Sequence, residues 1–366
     1  MIKVFFDHQK FTTQKYGGIS RYFASIIQEI KNEPDFDYQL GLLYSDNHYI
    51  KDEYQAFNNA VGRKLSKTIL GKRIYNLNEA YCTRLLRKND FDIFHPTYYD
   101  PYFIKDLKKP MVTTIHDMTY ERLPEYFWAN DPLTYQKRIN IEKADRIIAI
   151  SETTKNDLLE LSAVSEDKIS VIYHGIDIDT PLVFQNIKSL PDQYILFVGD
   201  RSGYKNFYLF IEAFKEINFR FPEIKLVLSG GGALGIADQE LLIRNKLTNS
   251  VSHVQVTDEE LNFLYQNAVL FVYPSLYEGF GLPILEAFKA RCPVLLSDID
   301  CFKEVAGDAA VFFSKHSKED LIHQITSVLM HANIRKELIS KGAERIKLFP
   351  LADCIRHTLN LYKTLA

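Results

Sequence analysis

Residues 270–297 constrain the fold more than any other stretch of this sequence. The run Leu270–Tyr273 is apolar and β-rich, a loop holding Glu278, Gly279 and Gly281 follows, and Pro283 stands where the first turn of a helix accepts proline. The spacing predicts strand, loop and a helix through Ala290, with Pro293–Ser297 as the next strand. Two parallel strands need a long crossover, usually a helix, so the stretch reads as one βαβ unit. A chain built on such units is an α/β protein, and its ligands collect at the carboxyl ends of its strands.

The same pattern recurs on both sides. In the first half Ile2–Phe6, Gln39–Tyr44, Phe91–Phe94, Met111–Ile115, Arg146–Ile150 and Ile169–Tyr173 read as strands. Tyr22, Phe23, Ile26, Ile27 and Ile30 fit the inner face of a helix, and Ser151 reads as the cap of a helix through Leu161. Thr180–Asp192, with Pro181 and Pro191 and no period, reads as a linker. The alternation then restarts with strand Tyr194–Val198, helix Phe207–Phe219, strand Ile224–Leu228, helix Glu240–Leu247, strand Val251–Val256 and helix Glu259–Gln266. Helices over Glu319–Met330, Ile334–Lys347 and Leu351–Leu365 close the chain. A length of 366 residues is long for one core, so two parallel-sheet domains with a ligand cleft between them are expected.

The central loop also carries chemistry. A helix start behind a glycine-rich loop offers free N–H groups and a positive dipole end, which suit a phosphate. Ionised carboxylates only accept hydrogen bonds, which suits sugar hydroxyls. Glu278 on the loop and Glu286 one turn into the helix therefore suggest a ligand with both parts. With Gly-Phe-Gly-Leu-Pro between them, the two glutamates resemble the E-x7-E motif of the family 4 glycosyltransferases.

That resemblance implies a GT-B fold: α/β, two Rossmann-like domains whose parallel sheets face each other across a cleft. Residues 1–180 form the acceptor domain, 181–348 the nucleotide-sugar donor domain, and 349–366 a C-terminal helix that packs back on the first. The reaction it implies is a metal-independent, retaining transfer of a sugar from a nucleotide diphosphate sugar to an acceptor hydroxyl. No cofactor is implied beyond the donor as co-substrate.

Within the resemblance, Glu286 receives the ribose hydroxyls, the amides of Gly279, Phe280, Gly281 and Leu282 hold the diphosphate, and Glu278 orients the sugar. Lys205 and Arg201, just past the strand Tyr194–Val198, neutralise the diphosphate as its bond to the sugar breaks and stand in for a metal. Lys205 matches the family pattern, whereas Arg201 is displaced along the loop. Gly17 and Gly18, past the first strand, approach the donor diphosphate or the acceptor, and His116, at the end of Met111–Ile115, contacts the transferred sugar. The catalytic set is thus Glu278, His116, Lys205 and Arg201. His174 stands where the family carries Asn. Gly230, Gly232 and Gly235 spell G-x-G-x-x-G, but on the second strand of their half, and Asp258 follows later than the ~20 residues of a dinucleotide fingerprint, which speaks against NAD.

Composition narrows the partners. A net charge of −3 gives no reason to expect nucleic acid. Cys82, Cys292, Cys301 and Cys354 are scattered without metal-like spacing. No apolar run approaches the ~20 residues of a membrane span, and Ile2–Asp7 turns charged too soon for a secretory signal, so a cytoplasmic protein is expected. Residues 61–90 carry Arg63, Lys64, Lys67, Lys72, Arg73, Arg84, Arg87 and Lys88 among apolar residues, a composition able to dock on the inner face of a membrane or a lipid-linked acceptor. Val198–Phe207 and Glu304–Ala310 resemble the mannosyltransferase branch that builds surface polysaccharides, which makes GDP-mannose the first donor expected. A UDP-sugar donor, a GT-B nucleotide-sugar 2-epimerase and a catalytically silent sugar-nucleotide binder are the alternatives.

Overall fold

The computed structural model of the protein describes residues 1–53 and 71–366, so Arg63, Lys64 and Lys67 of the basic stretch lie outside the described residues. The chain forms two compact units. The first comprises Met1–Glu121, Ala129–His174 and Ala352–Ala366, the second Arg122–Trp128 and Gly175–Leu351.

The segment from Gly175 groups with the second unit. Ile176 donates its N–H to the Phe349 carbonyl (3.0 Å) and accepts from Leu351 (2.9 Å), which ties the segment to the second unit. A Cβ at Gly175 would stand 2.5 Å from Leu351 Cα, so this backbone approach needs glycine.

In the first unit, β1 (Ile2–Phe6) pairs in parallel with β2 (Phe36–Leu40) and β3 (Ile93–His95). A second parallel set joins β4 (Val112–Ile115), β5 (Arg146–Ala149) and β6 (Ile169–Val171), and Phe94 bridges to Met111 between the sets. Phe5, Phe94, Phe103, Leu85 and Leu86 form one core, and Ile115, Ile141, Ile147 and Leu158 another. The helix Gly18–Ile30 buries Tyr22, Phe23, Ile26, Ile27 and Ile30, the face its spacing predicts. In the last helix, Tyr362 shares a 2.6 Å hydrogen bond with His95 Nδ1 at the end of β3.

The second strand begins earlier than expected, at Phe36 rather than Gln39. It is an edge strand with mixed burial, so the apolar run Leu40–Tyr44 drew the reading past it. The N–H groups of Leu43 and Tyr44 are satisfied by the Asn78 side-chain oxygen (2.9 and 3.2 Å) instead of a ladder.

The second unit holds one parallel sheet of six strands: β7 (Tyr194–Val198), β8 (Lys225–Ser229), β9 (Val251–Val254), β10 (Leu270–Tyr273), β11 (Val294–Ser297) and β12 (Val311–Phe313). Its order is β12-β11-β10-β7-β8-β9, so the winding reverses between β7 and β10. At such a reversal the loops after the two central strands diverge to opposite faces and leave a crevice, the general ligand position of doubly wound sheets. The helix after β8 runs over Ile236–Arg244, four residues ahead of the expected start, because the Asp238 side chain accepts the Gly235 N–H (3.0 Å) and caps it there.

Candidate active site

The loops after β7 and β10 bring Lys205 and Glu278 together. Lys205 Nζ donates to Glu278 Oε1 at 2.6 Å, and Ser275 Oγ donates to the same oxygen at 2.7 Å. Both side chains are largely covered, at 11% and 14% exposure. Lys205 also lies 5.0 Å from the centroid of the Tyr204 ring and 5.6 Å from that of Tyr273. Burial alone disfavours its charge, but Glu278 with Tyr273 and Tyr204 outweighs burial and holds its pKa well above the ordinary value. The site therefore carries a fixed cation with a carboxylate hydrogen-bonded to it.

The short helix Leu282–Lys289 follows directly. Gly281 caps it at φ +94°, Pro283 has no N–H, and the Ile284 N–H turns back to the Gly281 carbonyl (2.9 Å). The Gly281 and Leu282 N–H groups stand at the start of this helix, its positive dipole end. Glu286 sits one turn on, half-buried, with Tyr265 Oη 3.4 Å from its Oε2. The loop after β7 is braced by a distant piece of chain. The Tyr126 ring covers Gly203, where a Cβ would stand 2.5 Å from it, and the Phe127 ring lies 5.6 Å from that of Tyr204. A cavity of about 430 Å³ lined by Gln193, Ala268, Pro293 and Arg335 opens at the opposite, amino edge of the same sheet, away from this chemistry.

Arg201 is engaged elsewhere. Its Nε donates to Asp238 (2.9 Å), and its terminal nitrogens donate to the carbonyls of Gly230, Gly231, Gly232 and Ala233 at 3.0–3.2 Å. Gly230, Gly231 and Gly232 all adopt positive φ to wrap those carbonyls around the guanidinium. The G-x-G-x-x-G turn thus offers carbonyl oxygens to an internal cation, the reverse of the N–H cradle a dinucleotide phosphate needs. Asp258 opens the helix Asp258–Asn267, capped by Thr257.

In the first unit, His116 follows β4 and is buried, as is His174, whose ring stacks on it at 5.6 Å. Burial, followed by His174, Lys10, His95 and Lys137, pushes the His116 pKa well below the ordinary value, so its imidazole is neutral at pH 7. Its Nδ1 finds no hydrogen-bond partner among the described residues. The turn after it is fixed by Lys137, 1% exposed, which donates to the Asp117 carbonyl (3.0 Å) and to Glu121 (2.8 Å). Gly17 caps the helix Gly18–Ile30 in an extended conformation, and Gln14 Oε1 accepts the Ser20 N–H in its first turn (3.2 Å). Ser151 accepts the Thr154 N–H at 2.9 Å and acts as a helix cap.

Two family models match the chain in succession, Glycosyltransferase Family 4 over residues 16–180 and Glycosyl transferases group 1 over residues 180–345. The chain belongs to the family 4 glycosyltransferases. This glycosyltransferase is 29% identical over 293 residues to the O-antigen chain mannosyltransferase B of Escherichia coli, covering 75% of this chain and 74% of that one. It is 28% identical over 207 residues to the O-antigen chain mannosyltransferase RfbU of Salmonella typhimurium, covering 56% of this chain and 57% of that one. Among solved structures, Anabaena HepE in complex with UDP and glucose superposes over 100% of both chains with a TM-score of 0.74 at 16% identity, which shows the GT-B fold.

In the glycosyltransferase the described part of the basic stretch is the helix Gly71–Lys88. Leu85 and Leu86 are spent in the core, Tyr75 donates to Asp100 (2.9 Å), and Lys72, Arg73, Arg84, Arg87 and Lys88 are exposed. Among the described residues no helix is long and apolar enough to cross a membrane. Ser275, Tyr204 and Lys137 were not singled out from the sequence, which marked His174 only as standing where the family carries Asn. Ser275 was within reach of it, three residues ahead of Glu278 in the same loop; the others acquire meaning only from partners distant in the chain.

Proposed function

We propose that this glycosyltransferase transfers a hexose, mannose from GDP-mannose, to a saccharide or lipid-linked saccharide with retention and without a metal. The observation that carries the donor site is the junction of Lys205 and Glu278 at the reversal point of the second sheet, with Glu286 one helical turn beyond. Lys205 takes the diphosphate together with the Gly281 and Leu282 amides, Glu286 the ribose hydroxyls, and Glu278 the hydroxyls of the sugar. Arg201 acts by shaping the neighbouring glycine turn. As the bond from the sugar carbon to phosphate breaks, Lys205 stabilises the charge gathered on the departing oxygen, which takes the acceptor's proton as the new bond forms on the same face. His116 contacts the transferred sugar, as the family resemblance implies. Two relatives named as O-antigen mannosyltransferases support mannose and a place in O-antigen or polysaccharide assembly.

A thermal-shift panel with GDP, UDP, ADP, NAD and their sugar adducts tests the reading, since a ligand bound only by the folded state raises its melting temperature. Stabilisation by GDP and GDP-mannose is expected, followed by transfer that persists in EDTA. A shift with UDP alone would reassign the donor base. A response to NAD alone would sink the proposal.

A further inference from the structure

Lys10 follows β1 at the carboxyl edge of the first unit, in the short helix Gln9–Thr13, and its position is built rather than incidental. Its backbone N–H donates to Thr97 Oγ1 (3.1 Å), and Thr97 is held by the fully buried Asp7 through its hydroxyl (2.7 Å) and its N–H (2.8 Å). The ammonium lies 3.4 Å from the centroid of the Tyr98 ring. Among the described residues no oxygen accepts a hydrogen bond from it and no carboxylate reaches it for an ion pair, although Asp117 acts on it from a distance. Burial pushes its pKa down to about 8, with Asp117 as the partial counterweight.

An ammonium carries three N–H donors, and leaving them unpaired away from bulk water costs free energy unless a ligand supplies the acceptors. Its neighbour repeats the pattern. His116 feels the charge of Lys10, and its buried Nδ1 also lacks a partner among the described residues. A partly buried cation and an unsatisfied imidazole nitrogen thus share one strand-end edge.

We propose that Lys10, with His116 beside it, binds an anionic group of the acceptor, a phosphate or a sugar carboxylate. The assignment to the acceptor rests on the transferase reading, in which the donor's diphosphate is held by Lys205 in the other unit. A neutral hydroxyl would satisfy one donor, whereas an anion supplies several acceptor oxygens and the missing countercharge.

Titration calorimetry on the full chain tests this with inorganic pyrophosphate, glucuronate and glucose as probes. The donor site is first saturated with whichever nucleotide raises the melting temperature. At least one of the two anions is expected to bind wild type and Lys10→Arg, and to bind Lys10→Met at least about tenfold more weakly. Preference for pyrophosphate identifies a diphosphate-linked acceptor, and preference for glucuronate an acidic saccharide. Lys10→Met is expected to melt no lower than wild type, because it removes an unpaired charge. Equal affinity in Lys10→Met, or no binding of either anion to wild type, overturns the proposal. If no nucleotide binds, the donor reading fails instead, and the difference between wild type and Lys10→Met still decides the role of Lys10.

Discussion

Lys205 and Glu278 depend on each other. Each is nearly covered, so removing one strands the other's charge in a site with little water. Lys205→Ala and Glu278→Ala are each expected to lower transfer at least about tenfold, or ~1.4 kcal/mol of barrier. Lys205→Ala should also shrink the nucleotide-induced melting shift, while Glu278→Ala should retain most of it, since the proposed site assigns the carboxylate to the sugar hydroxyls and not to the phosphates. Wild-type transfer rates in both folded variants would refute the assignment. Arg201 behaves differently, because its donors go to Asp238 and four carbonyls of the glycine turn. Arg201→Ala leaves those carbonyls unpaired and is expected to cost on the order of 2 kcal/mol in denaturant unfolding. A variant of unchanged stability that has lost nucleotide binding would return Arg201 to the diphosphate. Glu278 and Lys205 each stand in a local pattern the sequence displays, a glycine-rich loop before a helix and a cation just past a strand, whereas their mutual contact spans 73 positions and was not legible. The clasp made by Arg201 was not legible either, because its partners lie 29 to 37 positions away.

At the scale of elements, the strands buried on both faces were legible to within a residue or two. Parallel strands covered by helices read as continuous apolar runs, and β7 and β10 fall where those runs stand. The helix Leu133–Lys143 escaped for the opposite reason. Its buried positions include Lys137 and Asn140, which hold the Asp117 turn and the Tyr99 carbonyl (2.7 Å), so no apolar stripe marks its inner face. Gly281 shows how tightly the donor helix is set. At φ +94° a Cβ there would stand 3.0 Å from both Phe302 and Ile284. Gly281→Ala is expected to lose about 2 kcal/mol of stability from the backbone conformation and crowding together. Because the same residue starts the turn proposed to hold the diphosphate, its nucleotide-induced melting shift should fall as well. An Ala variant equal to wild type in both measurements would show that the turn does not need glycine.

Across the whole molecule, the buried imidazoles are divided unequally. His8, His95, His116 and His174 are buried, all in the first unit, and no histidine of the second unit is. Burial pushes His8, His95 and His174 down to about 3 and His116 well below its ordinary value. In the unfolded chain each takes up a proton near pH 6.5, while in the folded chain it does not until far lower pH. Between those limits the unfolded state binds more protons, so stability falls as pH drops below about 6.5, by up to ~1.4 kcal/mol per unit for each group. Asp7 acts in the opposite sense at lower pH, because burial raises its pKa and the folded state holds its proton where the unfolded chain has lost it. The expected result is acid sensitivity concentrated in one unit, on the order of several kcal/mol between pH 6.5 and 5. Hydrogen exchange at pH 7.5, 6.5 and 5, corrected for intrinsic rates, should show protection lost from peptides covering β1–β5 while those covering β7–β12 retain theirs. Equal loss in both sets, or none in either, would show that the four imidazoles do not govern the acid response.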